Sequence, residues 1–221
     1  MNQKNGKNSL GIDICFEDLD NPIELFKKWF AKAEESEIND PNAVAVATSN
    51  KNNQPNVRMV LLKGLSHSGF VFYTNFNSKK GNELKENQKA SMCFHWKSLR
   101  RQVRIIGSVE EVSTKEADDY FNSRPYKNRI GAWASLQSRI LNKRETFLKN
   151  IEEYQKKYPE EKNVPRPPHW SGWRLLPNEI EFWLDGEGRI HERLNYKKKN
   201  SKWEKLSLIH ISEPTRLLSI A

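Results

Sequence analysis

The segment "RMVLLK", residues 58–63, carries a cation at each end of an apolar run. A short run of branched apolar residues is typical of a buried β-strand. Side chains on a strand alternate between its two faces, and Arg58 and Lys63 are an odd number of positions apart. They are therefore expected to point to opposite faces. The plainer alternative is that both cations simply reach solvent at the ends of the strand.

Four further strand-like segments lie close to this one along the chain, at residues 43–49, 70–74, 90–96 and 101–113. Only one short helix is predicted among them, in "SKKGNELKEN", where Ser78 is the expected cap. Strands that follow one another so closely favour an antiparallel barrel or sandwich over a doubly wound parallel sheet.

Helices and three more strands are predicted in the rest of the chain. The first helix is expected to start at Asn21, because an Asn cap is followed by Pro22. Other helices are expected near residues 114–123, 130–135 and 143–157, and later strands at residues 171–176, 179–184 and 189–196. Between the last two strands, "DGEG" is predicted to be a hairpin turn. Its two glycines resemble a fragment of a dinucleotide-binding loop, but the helix and the third glycine of that loop are missing, so no such loop is predicted. The predicted class is mainly β with α, or α+β.

The 221 residues suit one large domain, with two small domains as the alternative. Residues 1–20 are polar and weakly patterned, which predicts a mobile N-terminal arm. Residues 21–205 are predicted to form a single domain. Residues 206–221 are expected to be a non-native tail, because "LSLIHISEPTR" resembles a translated sequencing-library adapter. A natural C-terminal extension is the alternative.

The composition restricts the class of protein. The net charge of +9 suits phosphate-bearing small molecules, nucleic acid or an anionic membrane. The two cysteines, Cys15 and Cys93, exclude a disulfide framework and a cysteine-rich zinc site, and they fit a reducing compartment. The histidines lack the spacing of metal ligands, so no metal is predicted. No apolar stretch reaches membrane-spanning length and no signal peptide is visible, so a soluble cytoplasmic protein is expected.

Several side chains are candidates for anion binding. In "RIHER", Arg189, His191 and Arg193 are spaced by two, so on a strand they would share one face. The alternative is a strand that faces solvent. Tyr120 and Arg124 are four apart on a predicted helix, where a phenol and a guanidinium could hold a phosphate, although a surface pair is commoner.

Two weaker signals involve helix starts and amides. Ser78, Lys79 and Lys80 lie where a helix begins, which suits an anion, although ordinary capping with solvated lysines is the commoner reason for such a pattern. Gln102 interrupts an apolar strand, and a buried amide there would need partners. Phosphate handles, aromatic rings and amides without an acid–base motif suit a protein whose chemistry belongs to a bound cofactor.

In this order along the chain, RMVLLK, FYTN, NSKKG, RRQVRIIG, YFNSRP, IGAWAS-x-QS, IEFW and RIHER resemble the pyridoxamine/pyridoxine 5′-phosphate oxidase family. The resemblance runs from about Asn21 to Trp203. It implies an FMN-binding split β-barrel with flanking helices and a homodimer with FMN at the interface. It also implies oxidation of phosphorylated vitamin B6 vitamers to pyridoxal 5′-phosphate. In that reaction, hydride passes from the C4′ carbon to flavin N5, and oxygen reoxidises the flavin to give hydrogen peroxide.

The family's contacts can be carried over onto matching positions. For FMN they are Arg58, Lys63, Tyr73, Thr74, Lys79, Lys80, Gln102, Gln137, Ser138, Trp183 and Arg193. For the substrate they are Lys63, Tyr120, Arg124, Asn128, Arg189 and His191, with Arg189 and His191 in the catalytic role.

The chain departs from the family pattern in four places. The family often has Arg where Lys79 stands and Ser where Asn128 stands, which weakens both assignments. The basic-plus-tyrosine segment of the family's N-terminal arm is missing, and so is its short Arg-Leu-x-Pro ending.

Two other functions stay open at this point. Another split-barrel FMN oxidoreductase would share the flavin contacts but should lack RIHER and YFNSRP. A non-catalytic basic nucleic-acid-binding module would interleave aromatic and cationic side chains on one face and would be colourless. The family resemblance favours neither nucleic acid nor membrane as a partner.

Overall fold

The computed structural model describes residues 6–135, 137–138 and 143–209. The chain forms two compact units. The first contains the described residues of Met1–Asn42, Met92–Ile105 and Asn178–Ala221, and the second those of Ala43–Ser91 and Ile106–Pro177. The prediction of one domain over residues 21–205 stays a prediction. In the described part of the chain, no helix is long and apolar enough to cross a membrane.

Nine strands form one sheet among the described residues. They are β1 (Ala43–Ser49), β2 (Pro55–Leu61), β3 (Gly64–Ser66), β4 (Gly69–Asn75), β5 (Lys89–Trp96), β6 (Arg101–Glu111), β7 (Trp170–Leu184), β8 (Glu192–Lys199) and β9 (Lys202–Ile209). Neighbouring strands follow the order β2-β1-β5-β6-β7-β4-β3, β8 pairs with β7, and β9 pairs with β8. The β1–β2, β3–β4, β4–β7, β7–β8 and β8–β9 pairs are antiparallel, as the close spacing of the strands predicted.

Five helices are described: α1 (Pro22–Ser36), α2 (Lys79–Glu86), α3 (Thr114–Ser123), α4 (Tyr126–Ala134) and α5 (Arg144–Lys157). The predicted caps are confirmed, since Asn21 accepts from the Ile23 amide and Ser78 accepts from the Gly81 amide. The fourth helix is longer than predicted. It begins at Tyr126 because Pro125 takes the N-cap position and presets the backbone.

The core of the first unit is built on α1. The Phe26 ring lies 5.1 Å from that of Phe94, and the Trp29 ring lies 5.1 Å from that of Phe182. The N-terminal segment is part of this core, because Phe16 is fully buried and its ring lies 5.4 Å from Trp29. Among the described residues 6–20, Ile12, Asp13 and Phe16 are buried and the others are exposed or half-buried, so the segment is anchored at these positions and its mobility stays a prediction. Sequence patterning could not find this contact, since it rests on a single aromatic residue in a polar segment.

The prediction that "RMVLLK" forms a buried strand is wrong. In the sheet order, β2 comes first, and Val57 and Met59 have 64% and 63% of their surface exposed. The strand also stops at Leu61. Beyond it, the Lys63 amide donates to the Val71 carbonyl at 2.8 Å, which starts the pairing of β3 with β4. Strand alternation therefore does not extend to Lys63, and the opposite-face argument loses its basis.

The strand prediction for "RIHER" also needs correction. A single strand, β7, runs through both segments that were expected to be separate, and β8 begins only at Glu192. The connection is not a tight turn. It contains a 3₁₀ turn, Glu187–Arg189, and it places Arg189 and His191 before the strand.

The expected non-native tail is partly ordered. Strand β9 extends to Ile209, and Leu206 pairs with Asn195 of β8. Residues 210–221 lie outside the described part of the chain.

We expect Gly107→Ala to destabilise the protein strongly. A Cβ at Gly107 would lie 2.0 Å from the Leu176 carbonyl oxygen, so the backbone would have to move. Overpacking of this kind costs about 1–3 kcal/mol, or roughly 2–12 °C in Tm for a chain of this size. Thermal unfolding measured by circular dichroism tests this.

The control is Gly131→Ala in α4, where a new Cβ would meet nothing within 4 Å. Replacing a helical glycine in open space should stabilise by about 0.5–1 kcal/mol, so Tm should rise. Equal shifts for the two variants would contradict the packing of β6 against β7.

Candidate functional site

A cavity of about 920 Å³ lies in the second unit and is called the large cavity below. It is lined by β2, β4, α2, α3, α4 and the turn after α4. Of the predicted site residues, it brings together Arg58, Lys63, Tyr73, Thr74, Lys79, Lys80, Tyr120, Arg124, Asn128, Gln137 and Ser138. Arg58 and Lys63 thus line the same cavity, and their facing apart stays a prediction.

The lining of the large cavity is strongly cationic. Six of its side chains are cations and none of the described lining residues is an Asp or Glu. The cations are Arg58, Lys63, Lys79, Lys80, Arg124 and Lys127. Like charges gathered at one concave surface repel one another, so this arrangement favours an anionic ligand.

Arg58 is held in place by buried polar groups. Its Nη2 lies 3.0 Å from Glu83 Oε2, and its Nη1 donates to Thr48 Oγ1 at 2.5 Å and to the Val46 carbonyl at 3.1 Å. The Thr48 hydroxyl donates to Glu83 Oε2 at 2.5 Å, which closes a triangle of three side chains. These bonds occupy Nη1 and one hydrogen of Nη2. The edge formed by Nε and the second Nη2 hydrogen is the part of the guanidinium suited to a bidentate anion.

Lys80 is buried beside Arg58 at the start of α2. Its ammonium donates to Thr74 Oγ1 at 2.5 Å and to Ser78 Oγ at 3.4 Å, and both partners are neutral. The pKa of Lys80 is lowered to about 8, first by burial and then by the charge of Arg58, while Glu83 opposes the shift. An anion in the cavity would therefore stabilise the charged form of this lysine.

Aromatic rings cover another part of the cavity. Tyr73 stacks on Tyr120 with ring centroids 3.9 Å apart, and on Trp170 at 5.3 Å. Burial, followed by the charge of Glu116, raises the pKa of Tyr73 to about 12, so its phenol stays protonated at neutral pH.

Arg124 lies over this stack, with its guanidinium carbon 4.8 Å from the Trp170 ring. Its Nη1 is buried and has no hydrogen-bond partner within the described chain. Burial lowers the pKa of Arg124, Arg129 adds to this effect, and Tyr120 opposes it. An unpartnered buried guanidinium nitrogen at a cavity wall is a donor that a phosphate oxygen would satisfy.

A second cavity, of about 490 Å³, lies in the first unit and is called the small cavity. Of the predicted site residues, it brings together Gln102, Trp183, Arg189, His191 and Arg193. Arg189, His191 and Arg193 of "RIHER" therefore do share one cavity. The reason differs from the one predicted, because the 3₁₀ turn rather than strand alternation directs Arg189 and His191 to it.

Two further residues of the small cavity, Glu181 and Arg104, were not among the predicted site residues. Glu181 is buried, accepts from the Arg193 guanidinium and lies 3.5 Å from Arg104 Nη1. Both had a signal in the sequence. Glu181 stands in the "IEFW" motif, and Arg104 is two positions from Gln102 on β6, where it shares a face. Glu83, which contacts Arg58 of the large cavity, had no comparable signal in the sequence.

We expect Glu83→Gln to destabilise the protein at neutral pH. Burial alone would raise the pKa of Glu83, but hydrogen bonds from Thr48, Asn56 and Arg58 outweigh it and lower the pKa. Removing the charge leaves Arg58 without its counterion, which costs on the order of 3 kcal/mol, or roughly 6–12 °C in Tm. Thermal melts at pH 7 measure this difference.

The same pair of proteins gives a pH test. A lowered folded-state pKa means that the stabilisation by Glu83 is complete above the unfolded value of about 4.3 and is lost as pH falls through the folded value. The gap in Tm between the two proteins should therefore narrow below about pH 4. Glu86→Gln is the control. Because Glu86 is exposed in the last turn of α2, this substitution should leave Tm nearly unchanged. A gap that is independent of pH would contradict the role of the Glu83 charge.

Comparison with known proteins identifies the family of the chain. The family model described as pyridoxamine 5′-phosphate oxidase matches residues 30–158. The model described as the pyridoxine 5′-phosphate oxidase C-terminal dimerisation region matches residues 170–209.

Among curated proteins, the chain is 63% identical over 194 residues to the pyridoxine/pyridoxamine 5′-phosphate oxidase of Pelagibacter ubique, covering 88% of this chain and 93% of that protein. It is 52% identical over 195 residues to the protein of the same name from Allorhizobium ampelinum, covering 87% and 94%.

Solved structures agree on the fold. PhzG from Burkholderia lata, in complex with tetrahydrophenazine-1-carboxylic acid, matches with a TM-score of 0.83 and 29% identity, covering 92% of this chain and all of that chain (100%). A pyridoxamine 5′-phosphate oxidase-related, FMN-binding protein from Nostoc punctiforme matches with a TM-score of 0.68 at 16% identity, covering 85% and 97%. The predicted α+β split-barrel fold is confirmed, and the chain belongs to the pyridoxine/pyridoxamine 5′-phosphate oxidase family.

Proposed function

We propose that this protein is an FMN-dependent oxidase that converts pyridoxamine 5′-phosphate and pyridoxine 5′-phosphate to pyridoxal 5′-phosphate. The observation that carries the proposal is the large cavity, where eleven predicted site residues meet and six cations face no carboxylate among the described lining residues. Two phosphorylated ligands supply the negative charge that such a lining favours. The high identity to relatives of that name over most of their length supports the same substrates.

The residues of the large cavity fit a flavin phosphate. The free edge of Arg58 and the ammonium groups of Lys79 and Lys80 would bind its oxygens, and Ser138 in the turn after α4 would add a hydroxyl. Lys79 contributes a point charge where an arginine would give a forked contact. Bound FMN would supply the acceptor for a hydride from the substrate and would pass the electrons to oxygen.

The substrate phosphate would bind on the other side of the cation set. Lys63, Tyr120, Arg124 and Asn128 line the cavity there, and the unpartnered Nη1 of Arg124 is the donor best suited to it. The stacked rings of Tyr73 and Tyr120 would give the substrate ring an aromatic surface beside these polar groups.

We further propose a homodimer with FMN at the interface. The match to the family's dimerisation region supports a dimer. The residues expected around one flavin are divided between the large and the small cavity, so a flavin held by the large cavity of one protomer would also need a small cavity. In the proposed dimer, the partner subunit supplies Gln102, Trp183 and Arg193 to the flavin and Arg189 and His191 to the substrate.

A cytoplasmic location is part of the same proposal. Cys15 and Cys93 are free thiols, which fits a reducing compartment. Burial raises the pKa of both, and most strongly that of Cys15, to about 12. They would therefore remain protonated and unreactive there.

We expect the purified protein to bind FMN and to oxidise pyridoxine 5′-phosphate. The assay follows pyridoxal 5′-phosphate by absorbance and hydrogen peroxide with a coupled peroxidase, each with and without added FMN. Unphosphorylated pyridoxine is the matched control, and its kcat/KM should be much lower because the cations of the large cavity have no phosphate to bind. A folded protein that binds FMN but oxidises none of the phosphorylated vitamers would contradict the proposed substrates. A folded protein that does not bind FMN would contradict the proposal that FMN is the cofactor.

We expect Arg124→Ala to raise KM for the phosphorylated substrate while the Kd for FMN stays within about twofold. A lost charge-assisted hydrogen bond costs about 1.5–3 kcal/mol, so KM should rise roughly tenfold or more. Arg124→Lys keeps the charge but loses the fork and the stacking on Trp170, so it should recover only part of the affinity. Equal losses of FMN affinity and substrate affinity in Arg124→Ala would contradict the assignment of this arginine to the substrate phosphate.

A further inference from the structure

The loop between β7 and β8 contains a carboxylate that contacts His191 and that the proposed mechanism has not yet used. Asp185 Oδ1 lies 3.1 Å from His191 Nδ1. The Trp183 ring lies 4.7 Å from the imidazole and bounds it on one side. The cations that share the small cavity with the imidazole are Arg104, Arg189 and Arg193, and Glu181 is the carboxylate among its lining residues. Asp185 is thus the only acidic side chain for which the described chain gives a contact to His191.

Two groups compete for Nδ1 of this histidine. The Gly186 amide also approaches it, at 3.3 Å, and could donate only if Nδ1 carried a lone pair. A lone pair on Nδ1 would be repelled by the nearer carboxylate of Asp185, whereas an Nδ1–H would donate to it. The charge and the shorter distance favour Nδ1–H, which leaves Nε2 as a hydrogen-bond acceptor.

Asp185 is itself held by Arg100. The Nε and Nη2 atoms of Arg100 lie 3.0 and 2.9 Å from Asp185 Oδ2, and the Asp185 amide donates to the Arg100 carbonyl at 3.0 Å. The forked contact occupies Oδ2 and directs Oδ1 to the imidazole. The resulting chain runs from Arg100 through Asp185 to His191.

We propose that Asp185, fixed by Arg100, is a positioning residue that sets the neutral tautomer of His191 so that Nε2 accepts a hydrogen bond from the substrate. The inference rests on the proposed function, in which His191 contacts the substrate. The group recognised would be a donor on the substituted pyridine ring, either its phenol O–H or the amine or hydroxyl at C4′. The same logic, in which a carboxylate fixes the tautomer of a histidine, operates in serine proteases.

The test is Asp185→Asn in the FMN-loaded protein. The amide side chain of this variant would be able to donate its N–H to Nδ1. It and the Gly186 amide would then both favour a bare Nδ1, so the tautomer should invert. ¹⁵N NMR of histidine-labelled protein, at a pH where the imidazole is neutral, distinguishes Nδ1–H from Nε2–H. His191→Gln identifies the signal by its disappearance.

Kinetics give the second measurement. We expect kcat/KM for pyridoxine 5′-phosphate to fall on the order of tenfold in Asp185→Asn, as for other partners that orient a histidine, with the Kd for FMN unchanged. Asp185→Glu keeps a carboxylate and should retain the Nδ1–H tautomer and recover part of the activity. Glu187→Gln removes the same charge from an exposed position of the same loop and should change neither measurement.

The outcomes separate this inference from the proposed function. If wild-type protein oxidises the vitamers but Asp185→Asn keeps both its tautomer and its kcat/KM, the inference is wrong and the function stands. If kcat/KM falls without a change of tautomer, Asp185 acts in some other way and the inference is again wrong. If wild-type protein oxidises no vitamer, the proposed function is wrong. The NMR comparison then still decides whether Asp185 sets the tautomer.

Discussion

The large cavity depends on the buried contact between Arg58 and Glu83. It joins β2 to α2, and Thr48 adds β1 to the same network. The Glu83 side chain is only 5% exposed, and two charges taken out of water are stabilising only when each is well bonded. Here the hydrogen bonds from Thr48 and Asn56 to the carboxylate meet that condition. The consequence for the site is positional, because the start of α2, with Lys79 and Lys80, is held beside the edge strand that carries Arg58.

This arrangement leaves the cavity with an excess of positive charge. Glu83 neutralises Arg58 and is not among the lining residues, so the five other cations line the cavity without a carboxylate among the described lining residues. The lowered pKa of Lys80 shows that its charged form is disfavoured there. A phosphate that binds removes this repulsion, so the binding free energy includes relief of a destabilising feature of the unliganded protein. Selectivity for phosphorylated ligands then follows from electrostatics in addition to hydrogen-bond geometry.

Local chemistry was predictable from the sequence, and contacts distant in sequence were not. The Asn21 and Ser78 caps and the strand segments follow from rules that act over a few residues. The argument that placed Lys63 opposite Arg58 does not apply, because alternation holds only while a strand continues and β2 ends at Leu61. Glu83 and Asp185 were missed because each lies in a segment that looks solvated, and each acts on a residue brought near by the fold.

The "RIHER" motif shows how a spacing can be informative for a reason other than the one first given. Its members share a cavity because the chain turns sharply before β8, and that turn requires glycine at two places. Gly188 has φ +63°, and a Cβ at Gly186 would lie 1.8 Å from the Ile190 carbonyl oxygen. The glycines that looked like a fragment of a dinucleotide-binding loop are therefore what brings His191 back to Asp185. The shape of this loop and the proposed tautomer of His191 therefore depend on the same short segment, from Asp185 to Arg193.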